Sequence, residues 1–195
     1  MIDRLGGIME ELQGIQKRLP IYLVLETSGA EGVFIESLRQ GIKYLVSELR
    51  KDPCVLRTTY LSVITYSSTA QQVCPLTDLP SFKEPHTEAE GTSAMSAALT
   101  LLDTCLKSEI RKTTPQQEGD YKPMVFLLTD GEPTDSWEAP ADQIKNSTRA
   151  NVIAVGCEPD INTDTLKKIS DTVLMMETFK NMGWHLNDWY KIVNT

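Results

Sequence analysis

With 195 residues, 41% of them apolar, the chain has material for one domain with a substantial core. Its formal net charge of −8 and its scattered lysines and arginines argue against nucleic acid and against an anionic membrane surface as partners. The four cysteines (Cys54, Cys74, Cys105, Cys157) form no C-x-x-C pair, which argues against zinc and for reduced, mostly buried thiols in a cytoplasmic protein.

The first residues carry apolar side chains at Ile2, Leu5, Ile8, Met9, Leu12 and Ile15, a helical spacing interrupted by Gly6-Gly7. They read as a helical extension, residues 1–17, packed on a domain of residues 18–195. They lack the apolar stretch of a secretory signal, and no run in the chain approaches membrane-spanning length. Pro20 then opens the apolar run Ile21–Leu25, a strand covered on both faces. A helix follows, with Phe34, Ile35, Leu38, Ile42, Leu45, Val46 and Leu49 on one stripe and a stop at Asp52-Pro53.

Thr59–Tyr66 reads as the second strand. Gln71–Pro75 reads as a short third strand, close enough for a hairpin and so an antiparallel edge. Gly91-Thr92-Ser93 opens a helix carrying Met95, Ala98, Leu99, Leu102, Cys105, Leu106 and Ile110 inward. Pro123–Thr129, Asn151–Gly156 and Thr172–Met176 are the remaining strands. Short helices fall near 136–148 and 164–170, and a last helix starts near Asn181 with Trp184, Leu186, Trp189, Tyr190 and Ile192. Strands alternating with helices predict a three-layer α/β/α sandwich around a six-stranded, mainly parallel sheet with one short antiparallel edge strand.

In such sheets, ligands bind beyond the carboxyl ends of the strands, where the strand order reverses. Two buried strands end in acidic, hydroxyl-bearing loops, Glu26-Thr27-Ser28 and Asp130-Gly131-Glu132, and Thr92 lies between them in sequence. Carboxylates and hydroxyls are the hard oxygen donors that Mg²⁺ takes. The same residue types equally fit a purely structural reading, with Ser28 and Thr92 as helix N-caps and Asp130 closing a turn.

The arrangement resembles the von Willebrand factor A family and its metal-ion-dependent adhesion site. That site combines D-x-S-x-S after the first strand, a Thr before the next long helix, and the Asp of a T-D-G turn. Leu25-Glu26-Thr27-Ser28-Gly29-Ala30 occupies the first segment, Gly91-Thr92-Ser93-Ala94 the second, and Leu128-Thr129-Asp130-Gly131-Glu132-Pro133-Thr134-Asp135 the third. The last string, with Lys122-Pro123 before its strand, is similar to TerY-type bacterial proteins associated with tellurium resistance. The chain departs from the pattern twice: Glu26 stands where the family has Asp, and Ala30 where it has the second Ser. By this resemblance the metal residues are Glu26, Ser28, Thr92 and Asp130, the cofactor is Mg²⁺ or another divalent cation at a degenerate site, and Gly29, Ala30, Glu132 and Asp135 face the partner.

The resemblance implies a non-catalytic protein-binding module, with a kinase or phosphatase as partner. Two other functions stay open on the residues: a metal-assisted phosphohydrolase using the strand-end carboxylates, and a metal-free scaffold subunit. Against catalysis, no D-x-D follows the first strand and no phosphate-cradling glycine loop ends in Lys. His86 and His185 belong to no nucleophile motif.

Overall fold

A computed structural model describes residues 17–28, 32–86, 91–157 and 161–176. The residues 1–16 of the expected N-terminal extension, the expected helix from Asn181, and Gly29, Ala30 and His185 lie outside the described residues.

Six strands form one sheet in the order β3-β2-β1-β4-β5-β6. They are β1 (Leu19–Glu26), β2 (Thr59–Tyr66), β3 (Ala70–Asp78), β4 (Met124–Leu128), β5 (Asn151–Cys157) and β6 (Thr172–Met176). All pairings are parallel except β2 with β3. Five helices are described: α1 (Gly32–Leu49), α2 (Pro53–Thr58), α3 (Met95–Glu109), α4 (Glu138–Lys145) and α5 (Thr163–Ile169).

Every residue of β1 and β4 is buried, as an apolar run without alternation requires. The two faces of β1 feed separate cores. Leu19, Ile21, Leu23 and Leu25 pack with Leu38, Ile42 and Leu45 of α1 and Val55 of α2. Tyr22 and Val24 pack with Leu99, Leu102 and Leu106 of α3 and Ile144 of α4. The helices therefore cover both faces, and the three-layer α/β architecture expected from the sequence is present.

The structure departs from the sequence reading in detail. The edge strand β3 is not short: it runs for nine residues against the five expected, and it accommodates Pro75 where the β2–β3 register shifts. Proline is tolerated there because an edge strand need not donate its N–H outward. Asp52-Pro53 ends one helix and also begins another. The Asp52 carboxylate accepts from Cys54 N at 2.7 Å and Val55 N at 3.3 Å, while Pro53 takes the first helical position, where no N–H is needed. Of the thiols, Cys74 and Cys105 are buried and free, whereas Cys54 is exposed. Among the described residues, no helix is long and apolar enough to cross a membrane.

Candidate functional site

The chain leaves β1 for β2 and β3 on one side, then returns to place β4 on β1's other side. The strand order reverses between β1 and β4, so their carboxyl ends flank the natural crevice of the sheet. Those ends are Glu26 and Thr129-Asp130.

Strand alternation sets which side chains meet there. Glu26 is the last residue of β1, in phase with Tyr22 and Val24, and therefore points to the α3/α4 face. Tyr66 is its register partner on β2, in phase with Ile64. Leu25 pairs with Leu128, so Thr129 follows beside Glu26, in phase with Val125 and Leu127. The Thr129 N–H continues the ladder to Val155 O at 3.1 Å.

The Glu26 side chain is turned inward, its residue only 2% exposed. Three neutral hydroxyls donate to its carboxylate: Ser28 Oγ to Oε1 at 2.5 Å, Tyr66 Oη to Oε2 at 3.2 Å, and Thr129 Oγ1 to Oε2. Thr129 in turn accepts from Gly131 N at 2.9 Å, which ties the next turn to the same carboxylate. Neither Tyr66 nor Thr129 stands out as a site residue in the sequence. Tyr66 reads as the aromatic end of a strand, and Thr129 as the residue before an Asp. For Tyr66 the signal was available only as phase, a strand end with the parity of Glu26; Thr129 shares that parity and also stands first in the T-D-G turn.

Asp130 sits beside this group, half-buried. Desolvation, then the negative charge of Glu26, push its carboxyl above the ordinary carboxylate range, and the Glu132 backbone N–H to Oδ1 at 2.9 Å opposes the shift. Burial, followed by the charge of Glu26, likewise holds the Tyr66 phenol well above its usual value. The turn after Asp130 needs glycine. Gly131 has φ +82°, and a Cβ there would stand 2.8 Å from Asn162 O. The Asn162 N–H also donates to Asp130 O at 3.0 Å, joining this turn to the start of α5.

A proton is therefore held more tightly by folded than by unfolded Asp130. The folded chain binds more protons just above the unfolded value of 3.8, so this group's contribution to stability falls as pH rises through the folded value. With divalent cations chelated, Asp130→Asn is expected to be more stable than the wild type at pH 7, and to lose that advantage below about pH 4. Urea midpoints at the two pH values measure this; equal midpoints at pH 7 would refute it.

Thr92 is exposed and reaches a different neighbour. Its N–H donates to Ser68 Oγ at 3.1 Å, and its Oγ1 lies 3.4 Å from the same oxygen. Gly91, at φ +71°, permits this approach, since a Cβ there would lie 2.0 Å from Ser68 Oγ. Thr92 caps no helix: α3 starts at Met95, and the cap residue Ala94 has no side-chain hydrogen bond. The capping bond comes from Asp135 instead, whose Oδ2 accepts from Ser96 N at 2.9 Å. Thr134 adds two bonds to Ser93 O, from N at 2.9 Å and from Oγ1 at 3.0 Å. The expected partner-facing residue Asp135 thus ties the Asp130 loop to the Thr92 loop, while Glu132 is exposed.

The donors at this crevice fit a hard divalent cation in kind. They are oxygens throughout, and the two neighbouring carboxylates repel one another in a way that positive charge would relieve. Among the described residues no three His, Cys, Asp or Glu side chains converge as a metal site. Hydroxyls must therefore supply part of any coordination.

The family model for the von Willebrand factor type A domain matches residues 21–187. Among solved structures, the pilus adhesin SpaC from Lactobacillus rhamnosus GG aligns with a TM-score of 0.71 at 16% identity, over 91% of this chain and 30% of that one. Proximal thread matrix protein 1 from the mussel byssus, solved with a zinc-occupied metal-ion-dependent adhesion site, aligns at 0.61 and 16%, over 89% of this chain and 45% of that one. A conserved hypothetical protein, BatB from Bacteroides thetaiotaomicron, aligns at 0.56 and 17%, over 89% of this chain and 99% of that one. This chain thus spans less than half the length of the first two. No curated protein matches the sequence. The family match and the strand-end arrangement agree: the chain belongs to the von Willebrand factor type A domain family.

Proposed function

We propose that this domain is a non-catalytic protein-interaction module that binds its partner at the crevice between β1 and β4. The observation supporting this reading is the grouping of Glu26, Ser28 and Asp130 at the topological switch point, with Thr92 and Glu132 exposed on the adjoining loops. Members of this family typically act as interaction or adhesion modules through such a face. Within the family, the Lys122-Pro123 pair and the Leu128–Asp135 string favour the TerY-type branch. That branch suggests a cytoplasmic role in a bacterial stress-response system of the tellurium-resistance type, with a kinase or phosphatase as partner.

The site is degenerate in this reading. Ser28, Thr92 and Asp130 would hold a divalent cation, and Glu26 would act mainly through its charge, because three hydroxyls already occupy its carboxylate. A bound cation supplies the positive charge that a partner's carboxylate engages. Mg²⁺ demands near-ideal octahedral geometry, so the loss of one hydroxyl at Ala30 predicts weak binding.

Isothermal titration calorimetry of the metal-stripped protein with Mg²⁺, Mn²⁺ and Ca²⁺ tests this. Dissociation constants of about 1 mM or weaker, abolished by Asp130→Ala, are expected. Absence of heat in the wild type at cation levels well above physiological would remove the cation from the proposal. Turnover of p-nitrophenyl phosphate that needs Mg²⁺ and is lost in Asp130→Ala would overturn the non-catalytic assignment.

A further inference from the structure

The lysines and arginines are scattered in the sequence, yet the fold gathers several of them at one pole. Each helix that returns from the carboxyl end of the sheet delivers its last turn to the opposite end, where the parallel strands begin. There the segment after α3 doubles back as a small hairpin. Arg111 N donates to Asp120 Oδ2 at 2.8 Å, Asp120 N donates to Arg111 O at 3.0 Å, and Thr114 and Gln117 form an isolated bridge at its tip. This hairpin carries Arg111 and Lys112 on one limb and Lys122 just beyond the other, all exposed.

Lys17 joins them from the start of β1, its Nζ lying 4.4 Å from the centre of the Tyr121 ring. None of these four cations has a carboxylate partner among the described residues. Among the described residues the neighbouring acids are largely engaged: Asp120 by the buried Arg18, Glu109 by Tyr22, Gln72 and Leu76 N, and Asp171 by Lys145, leaving Glu118 exposed on the hairpin. Lys122 also stands on the rim of a cleft of about 440 Å³ that runs toward Lys145, Ser147 and Thr172. A protein of net charge −8 thus carries a locally cationic surface with an adjoining recess. The length of β1 separates it from the strand-end site, roughly 25 Å.

We propose that this hairpin surface is a second interaction site, which takes an acidic protein segment rich in Asp or Glu. These four cations match such a segment in charge, and the negative net charge of the chain as a whole favours binding at this pole over the rest of the surface. A nucleic acid fits less well, because the described aromatic rings beside these cations, Tyr121 and Tyr60, are already stacked by Lys17 and Arg18. The proposal is independent of whether the strand-end site takes a cation.

Fluorescence anisotropy with a labelled deca-glutamate peptide at low salt tests it. Binding should weaken with added salt, weaken about tenfold or more in Arg111→Glu/Lys112→Glu, and stay unchanged in Glu138→Gln, an exposed position at the start of α4. The hairpin bonds of Arg111 are made by its backbone, so the double variant should fold. If its circular dichroism departs from wild type, Lys112→Gln/Lys122→Gln carries the same expectation at about threefold or more. No binding by the wild type, or equal binding by the variants, overturns the proposal. Tighter binding of a single-stranded oligonucleotide of equal charge also overturns it, in favour of nucleic acid.

Discussion

Replacing Asp120 by alanine is expected to cost about 3–5 kcal/mol of stability, the largest loss from any single charged residue described here. Asp120 is the anchor of a buried cation. Arg18 donates to it through Nε at 2.7 Å and Nη2 at 2.6 Å, and the side chains are 11% and 1% exposed respectively. A third Arg18 bond runs to Glu109 O at 3.0 Å, and the guanidinium lies over the Tyr60 ring. Burial by itself would drive the guanidinium toward its neutral form; the hydrogen bond and charge of Asp120 outweigh it and leave Arg18 held above its ordinary value. Without Asp120 the cation stays buried and uncompensated, and Arg111 N loses its acceptor. Thermal unfolding should fall by roughly 10 °C for a domain of this size. The double variant Arg18→Met/Asp120→Ala should recover much of the loss, since desolvating an unpaired charge is the dominant cost. A single variant within about 1 kcal/mol of wild type in urea unfolding would show that the pair is not the anchor described.

The second large effect is at Glu26. Glu26→Met keeps the side-chain length but deletes the acceptor of three hydroxyls, of which those of Tyr66 and Thr129 are buried. Unsatisfied buried donors cost about 1–3 kcal/mol each, so a loss of about 3 kcal/mol is expected, reduced somewhat by relief of the repulsion on Asp130. Removing donors together with acceptor separates this from simple loss of packing. Glu26→Met/Tyr66→Phe should be more stable than Glu26→Met alone, because replacing both sides of a buried hydrogen bond by apolar groups is nearly neutral, and it leaves Thr129 in place as acceptor for Gly131 N. If the double variant is no more stable than the single one, the network is not what holds Glu26 in place. Calorimetry on the same variants also tests the proposed cation site, in which Glu26 acts mainly through its charge.

Much of the fold was legible along the chain. The apolar runs at β1 and β4 lack polar alternation because both their faces are covered, and that alone implied helices on two sides of a parallel sheet. The hairpin of β2 and β3 followed from a link too short for a crossover, and the acidic strand ends followed from where the apolar runs stop. Local patterns carry this information because burial on one or both faces leaves a period in the sequence.

What only the tertiary structure decided are the pairings between distant residues. Glu26 meets Tyr66 and Thr129, which lie 40 and 103 positions away, through strand register and shared parity. Asp135 caps a helix that begins 40 positions earlier, so a residue that reads as partner-facing holds two loops of the site together. Arg18 and Asp120, 102 positions apart, unite in the same way, and the cations of the α3 hairpin become a surface only when Lys17 and Lys122 arrive beside them. A residue's type and local spacing record how it is buried. Its partner is set by the register and order of the strands, which no local period contains.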